Sequence, residues 1–123
     1  MADPTHLESS DWHIVEAADE LDMATAPELR HSLLQGINDG YHRVVLDLTR
    51  VTFIDSSGFA VLVSALKRLR ASGGDLRLAG AGRAPLSAMR ISGLDQIFAM
   101  YPNASAAASD PELGLDVETG RQS

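Results

Sequence analysis

Ala26, Leu29, Leu33 and Ile37 recur at intervals of three and four residues, with Leu34 beside them. Glu28, Arg30, His31, Gln35 and Asn38 fall off that stripe. The spacing predicts an amphipathic helix. Thr25 and Glu28 stand at capping-box spacing, so the threonine oxygen is expected to accept a free backbone N–H and the glutamate to reach back. Asn38-Asp39-Gly40 ends the helix.

The pattern then shortens. Arg43 to Leu48 is a run of branched residues that reads as a buried strand, with Thr49 to Asp55 as a connection. From about Ser57 to Ala71 the helical period returns. Its first half is apolar almost all round, which implies burial, and Gly73-Gly74 stops it. Asp75 to Ala79 predicts a strand, Ala84 to Ser92 a helix, Ile97 to Tyr101 a short strand, and Asn103 to Ser109 a short alanine-rich helix. Upstream, Trp12 to Ala18 reads as a strand. Thr5 to Glu8 is expected to pair with it as an edge strand through the Ser9-Ser10-Asp11 turn. Helices alternating with strands imply an α/β layer, because long crossovers require mostly parallel pairing.

Periodicity ends at Asp110. From there four acids (Asp110, Glu112, Asp116, Glu118) face one base, Arg121. That composition predicts a disordered acidic tail over 110–123 and a single domain over 1–109. Only 5% of residues are aromatic, so the core must be built from Leu, Val, Ile and Ala.

The absence of cysteine removes disulfides, thiolate catalysis and zinc–sulfur sites, and suits a reducing cytosol. Met1-Ala2-Asp3-Pro4 lacks the basic start of a signal peptide, and the apolar run Phe59 to Val63 is far too short to span a bilayer. A soluble, cytoplasmic chain with no membrane contact is expected. The formal net charge of −7 argues against direct nucleic-acid binding, which needs a basic face to displace counterions. Lys67, Arg68 and Arg70 form a small basic cluster, but they sit where cations favour a helix C-terminus.

Among candidate chemistry, Asp55-Ser56-Ser57-Gly58 stands out, because it opens the buried helix. Taken alone it is a helix cap. The same free N–H groups also suit a phosphate on a serine, which would meet the positive end of the helix dipole. Gly80-Ala81-Gly82 suggests a phosphate loop, yet Pro85 replaces the third glycine of a dinucleotide fingerprint. His6, His13, His31 and His42 have no i,i+4 pairing, so no shared metal site is expected. Asp11, Asp19, Glu20 and Asp22 read as surface acids by default.

Three segments, in order, resemble the STAS-domain anti-sigma factor antagonists. They are Glu20-Leu21-Asp22 followed by Thr25-Ala26, then Phe53-Ile54-Asp55-Ser56-Ser57-Gly58, then Ile91-Ser92-Gly93-Leu94 followed by Ile97-Phe98. The resemblance runs from about Trp12 to Ala108. It implies the STAS fold, a small mixed, mostly parallel sheet flanked by about four helices. It also implies that Ser56 is the phosphorylated serine, with Asp22 near it. Asp22, Asp55, Ser56, Ser57, Gly58 and Phe59 then form the partner-binding site. Two departures matter. Asp19 stands where the family often has glycine. Phe59-Ala60 replaces a common Leu-Gly and leaves a large apolar group near the helix start, more in keeping with core than with contact surface.

The implied mechanism is partner switching. The unphosphorylated chain binds an anti-sigma factor that is also a serine kinase, and a sigma factor is set free. Phosphorylation at Ser56 ends the complex, and a serine phosphatase restores it. The chain needs no cofactor of its own and performs no catalysis. A constitutive STAS scaffold subunit, of a transporter or signalling complex, is the competing expectation. There Ser56 would only cap its helix. A receiver domain phosphorylated on Asp47 is a weaker competitor, because no late strand ends in lysine.

Overall fold

The structure, a computed structural model, describes residues 12–111. Four strands are present among them: β1 (His13–Leu21), β2 (Arg43–Ile54), β3 (Asp75–Ala79) and β4 (Ala99–Tyr101). Four helices accompany them: α1 (Ala26–Asn38), α2 (Ser56–Ala71), α3 (Arg83–Ser92) and α4 (Ala104–Ser109), with a 3₁₀ turn at Leu94–Gln96. The strands lie in chain order, β1-β2-β3-β4, and every described pairing is parallel. The α/β reading is therefore borne out. The expected edge strand at Thr5 to Glu8 and the tail beyond Pro111 lie outside the described residues.

Each of the three crossovers is a helix. Right-handed crossovers stepping one way across a sheet put their helices on one face. The core follows from this. Leu29 and Leu33 of α1, Val61, Leu62, Leu66 and Leu69 of α2, and Met89 of α3 pack on Val44, Leu46, Leu48, Leu76 and Leu78. The opposite face carries Val45, Arg77 and Ala79, the alternate positions of the same strands. Trp12 and α4 cover it, with Ala107 fully buried.

Arg77 is buried on that second face. Its guanidinium lies 3.9 Å from the Trp12 ring centroid and 5.2 Å from that of Tyr101. Its Nη1 donates to the carbonyls of Ala107 and, at 2.9 Å, of Asp110. Tyr101 donates to the Asp110 carboxylate at 2.5 Å. Charge, ring faces and carbonyls together replace the water that a buried guanidinium loses. Asp110, placed at the start of the tail by composition, is thus tied to the domain.

Three local expectations are corrected. The segment 49–54 is strand, not connection. It pairs with the second half of β1, from Ala18↔Arg50 to Leu21↔Ile54, across two register shifts. At each shift β2 carries the extra residue, and at the second Asp19, on β1, takes φ 62°. An aspartate tolerates the left-handed region better than most side chains, which explains how Asp19 can stand where the resemblance led to an expectation of glycine. The Thr25 capping box does not form. Thr25 has near-helical backbone angles, and its hydroxyl instead donates to the Glu20 carbonyl at 2.7 Å and accepts the Asp22 N–H at 3.0 Å. Finally β4 begins at Ala99, because Leu94–Gln96 coils into the 3₁₀ turn first. Phe98 is buried just before it.

Candidate functional site

β1 and β2 end side by side. Leu21 and Ile54 are register partners, both buried, and the chain leaves the sheet at Asp22 and Asp55. The two exits are linked. The Asp55 N–H donates to the Leu21 carbonyl at 3.0 Å. Two acidic residues are thereby held at one end of the sheet, the end where parallel α/β layers commonly place their sites.

Asp55 is the N-cap of α2. Its backbone is extended, and its carboxylate accepts from the N–H groups of Ser57 (2.8 Å) and Gly58 (3.3 Å). Its carbonyl accepts the Phe59 N–H at 3.0 Å. The cap is therefore aspartate, not serine. Ser56 is the first residue of the helix and is exposed. Its hydroxyl has no hydrogen-bond partner among the described residues. Ser57 is half-buried.

Gly58 is buried against the end of β1. A Cβ there would lie 2.8 Å from the Leu21 carbonyl oxygen and 2.9 Å from Ile54 Cγ2. Only glycine allows the first turn of α2 to sit this close to the strand end. Phe59 is half-buried and packs on the core, which agrees with its reading as core while leaving part of the ring open.

Asp22 organises the turn beside them. Its carboxylate accepts from the N–H groups of Ala24 (2.9 Å) and Thr25 (3.1 Å), an Asx turn. Its carbonyl accepts the Ala26 N–H at 2.7 Å and so starts α1. The sequence reading missed two neighbours. Met23, at the tip of this turn, is 78% exposed, and Phe53, opposite Glu20 in the β1–β2 register, is 48% exposed. Phe53 was visible inside a matched motif, but its exposure depends on a strand that extends beyond Leu48.

The other candidates are placed elsewhere. Asp47 lies in the middle of β2, and its carboxylate takes the Thr49 hydroxyl at 2.6 Å, so it does not end a strand as a receiver aspartate would. Gly80 packs against those same two side chains. His13 stacks on Tyr41 at 4.0 Å, and His42 meets Ser72. Among the described residues no group of His, Asp or Glu could hold a metal ion, and no helix is long and apolar enough to cross a membrane. Arg70 of the basic cluster pairs with Asp75 at 3.1 Å and donates to the Ile97 carbonyl.

Comparison with known proteins agrees with this geometry. The family model for the STAS domain matches residues 4–107. The chain belongs to the STAS-domain family. It is 35% identical over 86 residues to BtrV of Bordetella bronchiseptica, described as a candidate anti-sigma factor antagonist. That match covers 70% of this chain and 74% of the relative. It is 34% identical over 70 residues to the anti-sigma-B factor antagonist of Staphylococcus epidermidis, covering 57% of this chain. The chain spans 65% of the length of that relative. A crystal structure from Thermotoga maritima, of a candidate anti-sigma factor antagonist, superposes with a TM-score of 0.74 at 28% identity. It covers 79% of this chain and 84% of that one. Within the STAS domains, the chain thus groups with the anti-sigma factor antagonists.

Proposed function

We propose that the chain is a phosphorylation-controlled antagonist of an anti-sigma factor, with Ser56 as the switch. With Ser56 unmodified, the end of the sheet that carries Asp22, Asp55, Ser57, Gly58 and Phe59 docks an anti-sigma factor that is also a serine kinase, and a sigma factor is released. Transfer of phosphate to the Ser56 oxygen separates the two, and a serine phosphatase resets the cycle. The setting is the cytoplasm.

The observation that carries this reading is the division of labour at the start of α2. Asp55 holds the cap, while the exposed Ser56 hydroxyl makes no hydrogen bond to any described residue. A serine that only capped a helix would use its oxygen on a backbone N–H. Here that oxygen is open to a kinase.

Phosphate at this position adds about −1.5 to −2 charges beside two carboxylates. The helix dipole makes the modified serine tolerable to the fold. The docked complex has no such compensation, since burying the dianion strips its water. A penalty near 4 kcal/mol weakens binding about a thousandfold.

The test is titration of Ser56→Ala and Ser56→Asp against anti-sigma kinases of the source organism. Ser56→Ala is expected to bind and to resist release by ATP, and Ser56→Asp to bind poorly. Equal affinity of the two would overturn the switch. A constitutive scaffold would gain no phosphoserine on incubation with kinase and ATP.

A further inference from the structure

The strongest apolar exposure near the Ser56 end comes from two side chains that belong to neither the cap nor the core. Met23 is 78% exposed and Phe53 is 48% exposed. Isolated exposed apolar residues are ordinary on protein surfaces. These two differ because the backbone brings both to the end of the sheet that carries Ser56. Phe53 stands three residues before Ser56. Met23 is two residues past Leu21, whose carbonyl is bonded to Asp55.

Met23 is also held outward. The Asp22 carboxylate takes the N–H groups of Ala24 and Thr25, and the Thr25 hydroxyl takes the Glu20 carbonyl, so Met23 sits at the apex of a fixed turn. Phe53 is fixed by the ladder, as the register partner of Glu20. Carboxylates flank both: Glu20 across the ladder from Phe53, Asp22 next to Met23, and Asp55 two residues past Phe53. Apolar anchors inside a charged border are the anatomy of a docking surface with a dry centre and a polar rim.

We propose that Met23 and Phe53 are the anchors by which this chain docks its kinase partner, and that the partner offers an apolar socket with a lysine- or arginine-bearing rim. The proposal rests on the function given above and specifies its partner surface. The sign of the rim follows from Glu20, Asp22 and Asp55. The socket also accounts for the size of the switch. A dianion on Ser56, at the same end of the sheet, would have to shed its water before the anchors could seat, and it would add its charge directly beside Asp55.

The test uses the full chain and recombinant anti-sigma kinases of the source organism, each saturated with ADP, by calorimetric titration. Phe53→Ser and Met23→Ser are each expected to weaken binding about tenfold to a hundredfold. Met23→Ser should keep the wild-type thermal midpoint, because the side chain is 78% exposed, and Phe53→Ser should lower it only slightly while leaving the chain folded at the titration temperature. Ile91→Ser is the control. Ile91 is 85% exposed but ends α3, at the opposite end of the sheet, and its replacement should leave affinity unchanged. Glu20→Lys should weaken binding at low salt, with the loss shrinking as salt is raised.

The outcomes separate. If wild type binds a kinase and Ser56→Asp does not, yet Phe53→Ser and Met23→Ser bind as wild type does, the anchors are refuted and the switch stands. If the two serine variants lose affinity while Ser56→Asp keeps it, the anchors stand and the switch is refuted. If wild type binds none of the kinases, both fall. A Glu20→Lys variant that binds more tightly would refute the cationic rim.

Discussion

The Asp55 N–H donates to the Leu21 carbonyl at 3.0 Å, and this one bond joins the end of β1 to the start of α2. Leu21 and Asp55 are far apart in sequence. The bond makes the Asp22 turn and the Ser56 turn into one surface. It depends on Gly58, which lets the helix approach the same Leu21 carbonyl.

Gly58→Ala should therefore destabilise the fold, against the usual helical preference for alanine. The added methyl meets backbone at 2.8 Å, which cannot rotate away. The expected cost is about 1–3 kcal/mol, as for overpacked cores. Urea unfolding measures it. A gain in stability would show that the helix start is free to move.

Asp55→Ala removes the side-chain acceptor for two N–H groups. The expected loss is ~1 kcal/mol. Asp55→Asn, which keeps an acceptor oxygen, should lose less. The comparison by urea midpoint tests whether Asp55 alone holds the first turn, because a serine standing in for it would erase the difference.

Arg77→Ala leaves two carbonyls without their donor and the Trp12 ring without its cation. The expected cost is about 3 kcal/mol, and Arg77→Met, which keeps the packing, should lose less. Trp12 is the only tryptophan, so its fluorescence reports this site directly. An unchanged emission spectrum in Arg77→Ala would show that the stacking is absent.

Tyr101 gives the fold an alkaline limit. Burial, and then the hydrogen bond to Asp110, push its hydroxyl up from 10.0 to about 12. The neutral ring is thus favoured in the native state. Below about pH 10 both states keep the proton and the full contribution is present. Between 10 and 12 the unfolded chain releases its proton first, so stability falls as pH rises through that window. Tyr101→Phe should flatten the fall. Urea midpoints at pH 9 and pH 11.5, for both proteins, provide the measurement.

Much of this architecture was legible in the sequence because helix and strand periods differ so plainly. α1, α2, α3 and β3 stand within a residue or two of their predicted limits. The second half of β2 was not legible. Its buried positions, Val51 and Ile54, are three apart, since the register shifts with β1 break the two-residue alternation. Reading 49–54 as a connection also hid Phe53. Asp55, Ser56 and Ser57 are all good caps by composition, so the sequence located the start of α2 without deciding which residue holds it. The decision came from β2 running to Ile54, which leaves Asp55 extended and Ser56 helical. Arg77 was misleading in the same way. Alternation in Asp75 to Ala79 would turn it to water, but α4 and Trp12 close over that face.

Since an aspartate carries the first turn of α2, a chemical mark can be written on the neighbouring oxygen and erased again while the scaffold keeps its shape. In the proposed cycle, the pace of any response is then set by the enzymes that visit position 56. The domain itself never has to refold between one message and the next.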